Sequence, residues 1–214
     1  MNETPTTSGF SRRRFFSASG VAAGLVVLAA CGDDDDDGDE EGQAGGGSQQ
    51  DQGQNRDLAV AELAAGLEVL AVNTYQAALD AATSNKLGRV PPAVATYVQT
   101  ALAHHKEHLA AWNGILRSAG RAEVSTPNAQ LKPTVDSMFA QVKDVAGAAN
   151  LALTLEDIAS QTYLKAIPTL TSKDAIRKAG EIQVVDQQHI AILRYALGMY
   201  PVPEVFQKTD KAVS

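Results

Sequence analysis

Apolar residues recur at three- and four-residue steps over most of the chain, the period of a helix with one buried face. Over residues 57–84, Leu63, Leu67, Leu70, Ala71, Thr74 and Ala78 fall on one stripe. Lys86, Leu87 and Gly88, then Pro91 and Pro92, close this helix and open the next. The second runs over about 92–118, with Val94, Tyr97, Val98, Ala101, Leu109, Trp112, Ile115 and Leu116 as its stripe, and Gly120 stops it. Residues 120–133 are polar and broken by Pro127 and Pro133, which predicts a crossing loop, with a short helix over 134–143. A third long helix is predicted over about 147–167, ending before Pro168. Thr171 or Ser172 caps a fourth, which continues to Tyr200 before Pro201. No segment alternates as a strand would. Two helical hairpins joined by one long connection predict an all-α four-helix bundle over 57–204, with 205–214 as a C-terminal tail.

Composition supports helices and removes some functions. Alanine and leucine dominate the 44% of hydrophobic residues, and aromatics are only 5%. The net charge of −7 is concentrated ahead of the bundle. Nine acids, among them Asp33 to Asp37, lie between Cys31 and Arg56. From Asp57 onward 15 acids face 14 bases, so the predicted bundle is near neutral. No basic cluster suggests nucleic acid. No Gly-rich phosphate loop and no Ser-His-Asp ordering is present. Residues 31–56 are rich in Asp, Gly and Gln and cannot bury a core, so they predict a disordered acidic linker.

The first thirty residues read as an address. Arg12, Arg13 and Arg14 precede Phe15 and Phe16, and a short apolar stretch, 21–30, follows. The arginines resemble a twin-arginine export signal, whose pathway carries folded proteins. Leu28, Ala29, Ala30 and Cys31 resemble a bacterial lipobox, which implies lipidation of Cys31. An uncleaved anchor helix is the simpler alternative. Either way the expectation is an exported domain tied to the membrane on its extracytoplasmic side.

An internal repeat locates the candidate chemistry. Residues 67–78 and 155–166 share Leu, Glu, Ala, Thr, Tyr and Ala without a gap, and His108-Leu-Ala-Ala parallels His189-Ile-Ala-Ile. The chain reads as a duplicated hairpin. Glu68 and Glu156 hold matching places on the stripes of the first and third helices. His105 and His108 are three apart on the second, and Asp186 and His189 are three apart on the fourth, so each pair shares an inward face. A buried carboxylate is costly unless paired or bound to a cation. A divalent metal would satisfy the whole constellation, and a relict, metal-free polar core is the alternative.

This pattern resembles the ferritin-like superfamily, and within it bacterial export-tagged ferritin-like domains. That family places Glu on helix 1, Glu-x-x-His on helix 2, Glu on helix 3 and Glu-x-x-His on helix 4. The resemblance implies Glu68, His108, Glu156, Asp186 and His189 as ligands of iron or manganese, with His105 in the bridging place of helix 2. It implies oxidation, storage or oxidative-stress protection, and a possible homo-oligomer. His105 and Asp186 depart from the family's glutamates and reduce four carboxylates to three. That favours one tightly held metal or an asymmetric pair over a standard di-iron centre. The rival reading is a non-catalytic, metal-free lipoprotein scaffold for interaction or stress protection.

Other polar residues carry plainer expectations. His104 lies at the stripe's edge, supporting the site or facing solvent. Glu62 and Glu107 are expected at the surface. Tyr75 and Tyr163 follow their glutamates by two turns; they read first as core residues with satisfied hydroxyls, and second as redox-active groups or donors to the ligands.

Overall fold

The computed structural model describes residues 46–214, with side chains from Gln50 onward. Arg12, Arg13, Arg14 and Cys31 lie outside the described residues, and with them the export signal and its lipidation site. Among the described residues there are five α-helices and no strand. They are α1 (Gly46–Thr83), α2 (Pro92–Ser118), α3 (Lys132–Ala140), α4 (Val145–Ala166) and α5 (Lys173–Ala196), with a 3₁₀ turn, Ile167–Thr169, after α4. The four long helices and the short one in the crossover are those the periodicity predicts.

Helix α3 runs Lys132–Ala140 rather than 134–143, and two larger differences lie in α1 and α5. Helix α1 begins at Gly46, so residues 46–56 are helical where composition predicted the end of a disordered linker. The reason is tertiary. Gly53 is buried, and a Cβ there would lie 3.1 Å from Thr171 Oγ1, so a bare backbone lets α1 pass close to the α4–α5 connection. One turn later the buried Asp57 accepts hydrogen bonds from Thr171 N (2.9 Å), Thr171 Oγ1 (2.9 Å) and Ser172 N (2.5 Å). Helix α5 stops at Ala196 rather than Tyr200. Gly198 takes φ +74°, and Met199 N donates to Arg194 O at 2.8 Å, so the backbone turns out of the helix before Pro201 is reached.

Helix α1 packs on α2 and α4 on α5, while α1 also meets α4 and α2 meets α5. The Asp57–Thr171 contact puts the start of α1 beside the end of α4, so these two helices run antiparallel. The crossover is pinned at both hairpins. The side-chain amide of Asn113 donates to Val124 O (3.1 Å), and its carbonyl accepts from Val124 N (2.9 Å). Asn128 N donates to Gly66 O at 2.9 Å. Beyond it, α3 sets Val135, with Leu131, Met138 and Phe139, against Leu70, Leu151 and Leu155.

The core has two further apolar clusters. One holds Leu58, Ala61, Ala65, Trp112, Leu116, Ala179 and Ile182. The other holds Tyr75, Ala101 and Leu102, with Val72, Leu79 and Val98 against them. Burying a side chain such as Leu116 contributes about 1.5–3 kcal/mol. Residues 205–214, expected as a tail, lie back on α4: Gln207 Nε2 donates to Ser160 Oγ (2.8 Å), Lys211 N to Gln161 Oε1 (2.9 Å) and Val213 N to Thr162 Oγ1 (3.1 Å).

Candidate metal centre

The repeat and the antiparallel packing together bring the polar residues to one level of the bundle. Glu68 on α1, His105 on α2, Glu156 on α4, and Asp186 and His189 on α5 are each no more than 3% exposed. His105 lies between the two glutamates. Its Nδ1 is 2.8 Å from Glu68 Oε2, and its Nε2 is 3.1 Å from Glu156 Oε1. His189 Nδ1 is also 3.1 Å from Glu156 Oε1. His108 Nδ1 lies 3.7 Å from Glu68 Oε2 and 4.0 Å from Asp186 Oδ1. All six residues singled out from the sequence therefore meet.

Five further side chains hold this layer. Tyr163 Oη donates to Glu68 Oε1 at 2.5 Å, and Tyr75 Oη donates to Glu156 Oε1 at 2.5 Å. Each tyrosine thus serves the glutamate of the other repeat. Trp112 Nε1 donates to Tyr163 Oη (3.0 Å), and Tyr97 Oη pairs with Tyr75 Oη (3.0 Å). His104 is exposed as a residue, yet its Nδ1 lies 3.0 Å from His189 Nε2. Glu107 is exposed, and Glu62 pairs with Arg121 at the surface, as expected.

The simpler reading of the tyrosines is half right. Both are buried with satisfied hydroxyls, but the acceptors are the candidate ligands themselves. A signal for this existed. Glu68–Tyr75 and Glu156–Tyr163 have the same seven-residue spacing, and antiparallel pairing of the repeats sets each tyrosine level with the opposite glutamate.

The charges follow from burial and contact. Burial pushes the Glu68 carboxyl up, but the hydrogen bond and charge of His105, with the nearby charge of His108, outweigh it and hold the group at about 2. Burial likewise acts upward on Glu156, and the charge and hydrogen bond of His105, then those of His189, hold it well below its ordinary value. For His105 burial acts downward, and the two glutamates raise it well above 6.5. Asp186 has no such partner. Burial, then repulsion from Glu156 and Glu68, raise it well above 3.8. Burial raises the hydroxyls of Tyr75 and Tyr163, and the adjacent glutamates raise them further, so both stay protonated donors.

The donor set fits a divalent ion. His108 Nδ1, Glu156 Oε2 and both oxygens of Asp186 are buried without a hydrogen-bond partner, an arrangement that proteins seldom tolerate. A cavity of about 20 Å³ is lined by Glu68, Tyr75, His105 and Glu156 together with apolar side chains, room for one water-sized species. Ligand atoms of Glu68, His105 and His108 lie within 4.8 Å of one another, as do those of His105, Glu156 and His189. Beside this layer an apolar recess lined by Ala78, Leu79, Val94, Val98 and Ala152 reaches Tyr75 and Tyr97.

Comparison with known proteins agrees with this geometry. Among proteins of curated function, none matches the sequence. The family model described as "Ferritin-like domain" matches residues 56–199, which take in nearly all of both hairpins and the whole crossover. The chain belongs to the ferritin-like domain family.

Proposed function

We propose that this protein is a metal-binding bundle of the cell envelope that takes iron or manganese for oxidation, storage or protection against oxidative stress. The observation that carries the reading is the set of buried atoms without partners on His108, Glu156 and Asp186. Glu68, Glu156 and Asp186 would supply carboxylate oxygens, and His105, His108 and His189 imidazole nitrogens. A bound iron or manganese ion would supply one-electron chemistry with dioxygen or peroxide as oxidant. The protein's own part is to orient the donors. Tyr163 and Tyr75 fix one oxygen of each glutamate, and His104 holds the far nitrogen of His189. The recess ending on Tyr75 and Tyr97 would admit a small apolar molecule while apolar side chains keep water out.

The placement outside the cytoplasm rests on Arg12, Arg13, Arg14 and Cys31. Metabolic labelling with a fatty acid should mark the wild-type chain and fail to mark Cys31→Ser. Equal labelling of both would remove the lipid anchor from the proposal.

The metal itself is tested on the full-length chain, offered Fe(II) or Mn(II) without oxygen and freed of excess. Wild type should retain metal stoichiometrically, and the double variant Glu68→Ala/Glu156→Ala should retain none. Wild type should also gain thermal stability from the metal, by about 2.7 kcal/mol at a hundredfold excess over Kd. Retention by neither protein would overturn the reading. It would leave a metal-free scaffold, which one observation already favours: protonated His105 by itself neutralises part of the charge on Glu68 and Glu156. On that rival reading, replacing His108 and His189 by leucine stabilises the fold and leaves the biological role intact.

A further inference from the structure

The position of His105 has a consequence for how a metal would sit, and this step rests on the metal-binding reading above. Its two nitrogens face opposite ways. Nδ1 points to Glu68, on the side of His108, and Nε2 points to Glu156, on the side of His189. Two groups of three result, Glu68 with His105 and His108, and Glu156 with His105 and His189. Each offers two imidazoles and one carboxylate, a donor set that suits divalent first-row ions. They have only His105 in common.

A neutral imidazole carries one proton and one ligating lone pair, whereas a carboxylate has an oxygen for each side. His105 therefore completes one group at a time. We propose that the bundle holds a single divalent ion in either of two mutually exclusive positions, one per repeat, with His105 turning its lone pair to whichever is filled.

The geometry suits the exchange. With the ion beside Glu156 and His189, Nε2 ligates and the Nδ1 proton faces Glu68 Oε2 at 2.8 Å. With the ion beside Glu68 and His108, Nδ1 ligates and the Nε2 proton faces Glu156 Oε1 at 3.1 Å. In each state the glutamate of the unfilled position accepts from the ligating histidine, the outer support that metal-bound imidazoles normally have. Charge argues the same way. Two divalent ions would set four positive charges against the three carboxylates of Glu68, Glu156 and Asp186. A single ion is balanced by two.

The test counts metal on the full-length chain after anaerobic loading with Mn(II) alone, then with Fe(II) alone. Wild type should hold one ion per chain. Glu68→Ala and Glu156→Ala should each still hold one, because the ion moves to the intact position, and their Mn(II) resonance spectra should differ from each other. The double variant should hold none. His105→Glu, which places an oxygen on each side, should hold two. Two ions in wild type would overturn the proposal. So would complete loss of metal from either single glutamate variant, since that is the behaviour of one joint centre. If His105→Glu does not fold, the wild-type count and the two glutamate variants still decide the matter. Absence of metal from every protein would instead remove the metal-binding reading itself.

Discussion

At the scale of single residues, the candidate centre is a balance of proton affinities that pH should expose. Once a chelator has removed any metal, four groups set the trend. Glu68 and Glu156 titrate below their ordinary value of 4.5, so the stability they add is present above that value and is lost as pH falls towards 2. Asp186 and His105 titrate well above 3.8 and 6.5. Their stabilising contributions are therefore present at low pH and are lost as pH rises through the raised values. Urea unfolding of the chelated protein should show stability falling below pH 4.5 and, through His105, falling again as pH rises above 6.5. A monotonic rise from pH 3 to pH 9 would contradict these assignments. Metal must displace the protons of Asp186 and His105, so affinity should rise with pH and loading should release protons. The six candidate ligands were legible in the sequence because helix period and repeat register are local properties. The partners of Tyr75 and Tyr163 were only half legible: the equal Glu–Tyr spacing is in the sequence, but reading it as an exchange needs the helix direction, which a stripe of apolar residues leaves open.

At the scale of elements, periodicity located every long helix, and the errors fell at their ends. The early start of α1 has a tertiary cause, the contact of Gly53 and Asp57 with Thr171 and Ser172. A Gln- and Gly-rich segment gives no sign of it, since nothing in local composition reports a loop more than a hundred residues away. Asp57 ties the start of α1 to the first turn of α5, and its removal leaves Thr171 N and Ser172 N without their acceptor. Asp57→Ala should therefore cost about 1–3 kcal/mol in chemical denaturation. Hydrogen exchange should accelerate at the starts of α1 and α5 and stay unchanged at the α1–α2 turn. Uniform acceleration along the bundle would mean that Asp57 acts on global stability alone. The end of α5 shows a different limit. Pro201 sets the last place a helix could stop, whereas Gly198 closes it earlier by adopting a positive φ.

At the scale of the whole molecule, the duplicated sequence and the one-level site are the same fact seen twice. Glu68 and Tyr75 are on one helix, about 10 Å apart along its axis, and cannot bond to each other. Each glutamate is completed by a hydroxyl from the opposite hairpin, and His105 reaches across to Glu156. The sequence made the duplication visible. It did not reveal that the halves exchange donors, because that depends on the antiparallel setting of α1 and α4. The second hairpin by itself lacks a full donor group, because Glu156 and His189 need His105 of the first, and each hairpin's glutamate takes its tyrosine hydroxyl from the other. The two hairpins are alike in sequence yet depend on each other for their donors, so they should assemble from separate pieces. Cut within the exposed stretch after Gly120 and expressed as two pieces, the chain should yield fragments that are largely unfolded alone and regain helicity when mixed. Fragments that each fold independently would show that the exchange of tyrosines is an ornament of the bundle rather than part of what assembles it.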